Sequence, residues 1–167
     1  ALLKHAFNVA MKEWEWIREN PVSKVSFKEL KARTIDRWLT AGEEPKLLKA
    51  AEGKLDGQLI DIIILACYTG LSQEQILKLM WHDVDFDRET IFTIRKKTGE
   101  VRTIPINKTV LNLLVRRSKV RHINGSDYVF FNRAGNKIDA GKLKTAFIKT
   151  VKESGIAHCR FHDLRHT

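Results

Sequence analysis

The sequence predicts a mainly α-helical fold with a small antiparallel β-sheet, which places the protein in the α+β class. Apolar residues recur at helical spacing, helix caps and stops recur along the chain, and two alternating β-branched runs flank one polar turn. With 167 residues and 43% apolar content, the chain can bury one ordinary core. The predicted order is helices, one hairpin, then helices again.

The first predicted element is an amphipathic helix that ends at Asn20-Pro21. Its apolar residues, spaced three and four apart, are Leu3, Phe7, Ala10, Trp14 and Ile17. We interpret residues 1–21 as the last helix of a preceding domain, with its tryptophans serving in packing. Residues 22–37 carry several Lys and Arg without periodicity, which indicates a basic linker, and residues 38–167 form the main domain.

Capping motifs predict the next helices. Thr40 and Glu43 form a capping box for a helix that runs to about Glu52. The run from Gln58 to Tyr68 is nearly all apolar and predicts a buried central helix, closed by Thr69-Gly70.

A second capping box follows at once in Ser72 and Gln75. Leu71 and Ile76 stand at the spacing of a hydrophobic staple around it, and the helix is expected to run to about Trp81.

The second half begins with the predicted hairpin. Its strands are Thr90–Ile94 and Val101–Ile106, and Pro105 favours an edge position for the second strand. The elements expected after it are a helix capped by Asn107 that runs to about Ser118, a short extended run from Asp127 to Phe131, and a helix from Asp139 or Ala140 to Gly155.

Positive charge is concentrated in this second half. Residues 86–167 hold 18 Lys and Arg against 7 Asp and Glu, whereas residues 1–85 hold 12 against 13. The whole chain carries a net charge of +10. Such an asymmetry makes nucleic acid the leading candidate partner.

Other features narrow the setting of the protein. Cys67 and Cys159 stand far apart and suggest no disulfide framework, so a reducing cytoplasm fits. The longest apolar run, from Leu59 to Tyr68, is interrupted by Asp61 and is too short to cross a bilayer. We therefore expect a cytoplasmic protein without a membrane partner. The chain begins without Met, so we also expect an upstream part.

The last eight residues, 160–167, carry a His-x-x-Arg pair, His162 and Arg165. Residues three apart share a helix face, so both side chains could reach one anion. A guanidinium can hold phosphate oxygens by paired N–H bonds while an imidazole transfers a proton.

Together these motifs resemble the tyrosine recombinases, the phage integrase family of DNA strand-exchange enzymes. The resemblance covers nearly the whole chain and depends on the order and spacing of five segments. They are Leu39-Thr40-x-x-Glu43, Tyr68-Thr69-Gly70-Leu71, Ile76-Leu77-x-Leu79-x-Trp81-x-Asp83-Val84-Asp85, Lys97-Thr98-Gly99 with Ile104-Pro105-Ile106, and residues 160–167.

The resemblance implies a tyrosine that attacks a DNA phosphate, leaving a 3′-phosphotyrosyl link and a 5′-hydroxyl, without metal or other cofactor. It implies that Arg165 grips the scissile phosphate, that His162 is a proton-transfer partner or hydrogen-bond donor there, and that Lys97 protonates the departing oxygen. It further implies double-stranded attachment-site DNA as the partner, self-association on DNA as a tetramer, and a bacterial or phage-encoded, nucleoid-associated protein.

The sequence departs from the family pattern at Ser72. The family's first catalytic arginine is expected there, and a carboxylate is usual where Gln75 stands. A serine hydroxyl can cap a helix but cannot neutralise a charged transition state. Two readings stay open: an active site-specific recombinase, or a degenerate relative that binds DNA without cleaving it.

The family's second histidine and nucleophile lie downstream of His-x-x-Arg, so the resemblance implies a catalytic domain truncated before the nucleophilic tyrosine. Tyr68 and Tyr128 are both expected in the core and are not assigned as the nucleophile.

Basic side chains besides the catalytic set are candidates for DNA contact. They are Arg95, Lys96, Lys142, Lys144 and Lys149.

A zinc site is the alternative for the terminal cluster, because His158, His162 and His166 are four apart and Cys159 lies among them. Since Gly155 ends one helix and the next is expected near Phe161, His158 and Cys159 fall on a connector. We therefore predict no metal ligands.

Overall fold

The computed structural model describes residues 2–25, 37–94, 99–124 and 126–167, and divides the chain into two compact units, Ala1–Ile35 and Asp36–Thr167. Within the described residues the α-helices are α1 (Leu2–Lys12), α2 (Glu43–Ala50), α3 (Gln58–Thr69), α4 (Gln73–Lys78), α5 (Lys108–Asn124) and α6 (Ala140–Ser154). The strands are β1 (Val84–Asp85), β2 (Thr90–Ile94) and β3 (Val101–Pro105). Short 3-10 helices cover Pro21–Lys24, Trp81–Asp83 and Phe161–His166. The predicted α+β class is confirmed.

The first unit ends its helix earlier than the apolar stripe predicts. After Lys12 the backbone turns left-handed at Glu15, with φ 52°, and the N–H of Trp16 donates to the carbonyl of Ala10. Trp14 and Trp16 lie 52% and 73% exposed, with ring centroids 4.6 Å apart, so within this unit they contact each other, and their packing against the rest of a preceding domain stays a prediction.

Asn20, which was expected only to end the first helix, is instead a buried polar centre of the first unit. Its amide nitrogen donates to Lys4 O (3.0 Å) and Asn8 Oδ1 (2.7 Å), and its oxygen accepts from the N–H of Val22 (2.9 Å). It thereby caps the 3-10 helix that begins at Pro21.

The second unit is built around α3, as the apolar run predicts. Its buried side chains, including Leu59, Ile62 and Leu65, form one cluster with apolar residues of the other helices and the sheet. Gly70 ends the helix with φ 64°, a left-handed backbone that favours glycine. Tyr68 is 44% exposed and donates to Glu44 Oε1 (3.3 Å), so its expected place in the core is wrong.

The first predicted capping box forms only in part. The Glu43 carboxylate accepts from the N–H of Thr40 at 3.1 Å, but Gly42, not Thr40, is the N-cap of α2. The helix ends at Ala50, close to the predicted Glu52.

The second capping box is confirmed. Ser72 Oγ accepts from the N–H of Gln75 (3.3 Å), and Gln75 Oε1 accepts from the N–H of Ser72 (3.0 Å). The α4 helix that it opens ends at Lys78, shorter than predicted, and Trp81 begins a separate 3-10 helix.

The three strands form one antiparallel sheet in the order β1-β2-β3, which confirms the hairpin and the edge position of the strand with Pro105. Ile91 pairs with Ile104 and Thr93 pairs with Arg102. Ile91 and Ile104 are buried, so this face of the hairpin lies on the core.

Helices α5 and α6 begin at the predicted caps. Asn107 Oδ1 accepts from the N–H of Val110, and Asp139 Oδ1 from that of Lys142, both at 2.9 Å. Helix α5 runs past the predicted end at Ser118 to Asn124. The predicted extended run Asp127–Phe131 forms two isolated bridges, Tyr128 with Met80 and Phe131 with Lys137.

Candidate functional site

The terminal 3-10 helix, Phe161–His166, packs against α3, and its Phe161 contacts α6. Phe161 meets the ring of Phe147 edge-on, with centroids 5.3 Å apart, and Leu164 is fully buried. Leu39 N–H donates to Thr167 Oγ1 at 3.0 Å, which connects the start of the second unit to the end of this helix. Apolar anchors therefore fix the helix that carries the His-x-x-Arg pair.

Asp163 fixes the start of the same helix. Its buried carboxylate accepts from the N–H of Arg160 at 2.8 Å and from the Arg160 guanidinium at 2.7 Å. Burial acts to raise the pKa of Asp163, but the bonds from Arg160 outweigh it and hold that pKa below its usual value. The carboxylate therefore stays ionised and holds the N-terminal turn.

Arg165 lies one 3-10 turn after His162, so the two residues share a face of the helix. Its Nε donates to the carbonyl oxygen of Gly70 at 2.7 Å. Gly70 is the residue that ends α3, two positions before Ser72. This bond brings together the two sequence segments to which the resemblance assigns phosphate contacts.

A groove of about 730 Å³ opens at this point, and we call it the Ser72 groove. It runs between α4, the β2 and β3 strands and the terminal helix. Residues that border it include Gly70, Ser72, Gln75, Thr93, Arg102 and Arg165. The two positions to which the resemblance assigns an arginine, Ser72 and Arg165, thus border one groove, although only Arg165 carries a guanidinium there.

The floor of the groove is held by Gln75. Its Oε1 accepts from Ser72 N and Oγ, and its Nε2 donates to Thr93 Oγ1 at 2.9 Å. The side chain that stands where a carboxylate is usual therefore connects α4 to β2.

Several predicted site residues are not brought into this groove. Arg95, Lys96 and Lys97 lie outside the described residues. His162 is exposed and is not among the groove-lining residues that the structure describes; its ring lies 5.4 Å from that of His166. Lys142 borders a different cavity of about 430 Å³ together with Arg133, and Lys144 and Lys149 are exposed on α6.

The terminal histidines and Cys159 do not form a metal cluster. Among the residues that the structure describes, no three His, Cys, Asp or Glu side chains are placed to hold a metal ion. Cys159 is buried, and burial raises its pKa to about 11, so it is a packed thiol.

Arg102 is a groove residue that the sequence analysis did not single out. It stands two positions before the buried Ile104 on β3 and therefore on the same face of the strand. This alternation is the signal that could have identified it.

Comparison with known proteins shows the family. The sequence model of the phage integrase family matches residues 37–167, and the chain belongs to that family.

Similar proteins include a tyrosine recombinase XerC-like protein of Caldanaerobacter subterraneus subsp. tengcongensis, 26% identical over 99% of this chain and 51% of its own. A shufflon-specific DNA recombinase of Escherichia coli is 31% identical over 99% of this chain and 40% of its own. The integrase of Salmonella phage P22 is 27% identical over all of this chain and 44% of its own. The chain thus spans about half the length of these relatives.

Solved structures show the same fold. A lambda integrase (residues 75–356) dimer bound to a COC′ core site matches with a TM-score of 0.77 at 25% identity, over 98% of this chain and 60% of that one. A lambda integrase tetramer bound to a Holliday junction matches with a TM-score of 0.77 at 24% identity, over 98% of this chain and 49% of that one.

In the described part of the chain, no helix has both the length and the apolar character needed to span a membrane.

Proposed function

We propose that the protein is a site-specific DNA recombinase of the integrase type, and that this chain carries part of its phosphate-binding site. One observation carries the proposal: Arg165 is bound to Gly70 and borders the same groove as Ser72. In the proposed reaction a tyrosine outside this chain attacks a DNA phosphate, Arg165 binds the non-bridging oxygens, and His162 exchanges a proton or donates a hydrogen bond.

The rest of the proposal concerns the DNA partner, the domain organisation, the assembly and the location of the protein in the cell. The substrate is double-stranded attachment-site DNA, and Lys97 protonates the departing 5′-oxygen, with Arg95, Lys96, Lys142 and Lys144 contacting the backbone. Residues 1–21 contain the last helix of a core-binding domain, residues 22–37 are a linker and residues 38–167 are catalytic. Support for assembly as a tetramer on DNA comes from the lambda integrase tetramer on a Holliday junction. The protein acts in the cytoplasm, associated with the nucleoid.

The test is covalent capture of DNA by the full-length protein. Nicked duplexes that tile the DNA flanking its own gene are incubated with the protein and separated on a denaturing gel. We expect one duplex to yield a slowly migrating adduct that protease digests, because the tyrosine joins the protein covalently to the DNA. Arg165→Gln should lower the capture rate by about 10²-fold or more, since it removes a charge-stabilising donor.

A matched control is Arg88→Gln, an exposed arginine outside the Ser72 groove that should leave the capture rate unchanged. Binding of DNA without any adduct would overturn the recombinase proposal and favour the non-cleaving relative. Absence of both binding and adduct would overturn both.

A further inference from the structure

Arg102 lies directly opposite Thr93 in the hairpin register. The Cβ atoms of two residues that lie opposite each other in an antiparallel pair are about 5 Å apart, and an arginine side chain is longer than this distance. Arg102 is exposed, and no hydrogen bond or ion pair joins it to another side chain in the described ranges. Its charge is therefore available to an anion in the Ser72 groove, which it borders.

A short chain of contacts leads from Ser72 to Arg102. Ser72 donates to Gln75 Oε1, Gln75 Nε2 donates to Thr93 Oγ1, and Thr93 pairs with Arg102 across the sheet. Gln75 thus holds α4 against the hairpin at the level of Arg102. Ser72 and Arg102 both border the groove, so an anion bound there can contact a side chain from β3 as well as the start of α4.

Carboxylates of the groove do not take this position. Glu74 pairs with Lys78 at 2.9 Å, and Asp83 Oδ2 accepts from the N–H of Met80 at 2.9 Å. Glu74 lies on α4 and Asp83 in the 3-10 helix that follows it, and each already has a partner of its own.

We propose that Arg102 is a catalytic residue that supplies the second guanidinium for the scissile phosphate, in place of the arginine that Ser72 replaces. The inference rests on the proposed function. In the step concerned, the tyrosine hydroxyl gives its proton to His162 and its oxygen bonds to phosphorus. The bond from phosphorus to the 5′-oxygen breaks, and that oxygen takes a proton from Lys97. Arg102 makes and breaks no covalent bond; it binds a non-bridging oxygen as negative charge grows there.

A double-mutant cycle tests this role. The full-length protein is measured on the duplex that the capture experiment identifies, in single turnover at saturating protein. Arg102→Gln should lower the capture rate by about 10²–10³-fold, the usual loss for one charge-stabilising donor. In a Ser72→Arg background the same change should cost less than about 10-fold, because an arginine then stands at position 72.

Two further variants keep the cycle interpretable. Arg102→Lys should recover part of the rate, since it restores charge without the paired N–H groups. Arg88→Gln, an arginine between β1 and β2 outside the groove, is the matched control and should leave the rate unchanged. Melting curves confirm folding, and the exposure of Arg102 predicts an unchanged Tm.

The outcomes separate the two proposals. If the unaltered protein forms no adduct with any duplex, the proposed function fails. If it does form the adduct and Arg102→Gln keeps the rate, the role of Arg102 is overturned while the function stands. Equal losses in both backgrounds, matched by a loss of DNA affinity, would show an ordinary backbone contact and would also overturn it.

Discussion

Arg117 shows how this fold keeps a charged side chain in its core. The residue is 7% exposed, and its guanidinium donates to Asp61 Oδ2 (3.2 Å), Gln58 Oε1 (2.7 Å) and Val129 O (3.0 Å). Its charge also lies 4.4 Å from the centre of the Phe130 ring. Burial lowers the pKa of Arg117, and Asp61 opposes that change. The bonds together connect α3, α5 and the segment before α6.

Removing this guanidinium should be costly. Arg117→Met leaves the buried Asp61 without its buried partner, and breaking such a pair costs about 3–5 kcal/mol. Urea unfolding measures the loss. Arg116 also binds Asp61 but its side chain is 66% exposed, so Arg116→Met should cost less than about 1 kcal/mol. Equal losses from the two variants would contradict this account.

Glu43 predicts a pH dependence. The hydrogen bond from Arg37, with that from the Thr40 N–H, lowers the pKa of Glu43 from 4.5 to about 2. A carboxylate whose pKa is lower in the folded than in the unfolded protein stabilises the fold fully when the pH is above its unfolded pKa. This stabilisation is lost as the pH falls through the folded pKa. The Tm advantage of the unaltered protein over Glu43→Gln should therefore hold at pH 6 and shrink between pH 4.5 and 2. An advantage constant down to pH 2 would rule this out.

The α4 helix depends on its cap. Ser72→Ala removes the acceptor for the Gln75 N–H and should lower the free energy of unfolding by about 1 kcal/mol. Ser72→Gly should cost only a few tenths of a kcal/mol, because glycine tolerates the cap position. Chemical denaturation of both variants measures the difference. A loss from Ser72→Ala no larger than from Ser72→Gly would mean that the cap contributes little.

Helix starts were predicted better than helix ends. The caps at Ser72, Asn107 and Asp139 are local hydrogen bonds whose residue types and spacing are visible in the sequence. Helix α5 runs six residues past its predicted end, and α4 ends three residues before its own. Such ends depend on tertiary packing, which residue periodicity alone does not encode.

The site was predictable only where a motif carried it. Arg165 and Ser72 could be singled out through the family resemblance. The hydrogen bond from Arg165 to Gly70 O, which brings the Arg165 side chain close to the Ser72 segment, joins residues 95 positions apart and is visible only in the structure. Tyr68 was misplaced because it ends an apolar run, yet it faces solvent beside Glu44. A residue at the end of a buried helix can emerge from the core without any change in local pattern.

Across the second unit the excess of positive charge predicts salt-sensitive DNA binding. For a random-sequence 30-base-pair duplex, the logarithm of affinity should fall steeply and linearly with the logarithm of salt concentration, because each neutralised phosphate releases counterions. Replacing Lys142 and Lys144 by Gln should lower the slope by about 2, near 0.9 for each contact. Fluorescence anisotropy across a salt series measures both quantities.

The control is Lys46→Gln, at an exposed lysine of the half without net positive charge, which should keep the slope. A salt-independent affinity would count against DNA as the partner.

The bond between Arg165 and Gly70 also limits how the arginine can receive an anion. A guanidinium can offer two oxygens either a lateral pair of N–H groups, which includes Nε, or the terminal pair on the two Nη atoms. The main-chain carbonyl already occupies Nε. Only an end-on approach keeps both bonds, so if the anion is the DNA phosphate of the proposed function, this bond fixes the orientation of the strand before any base is read.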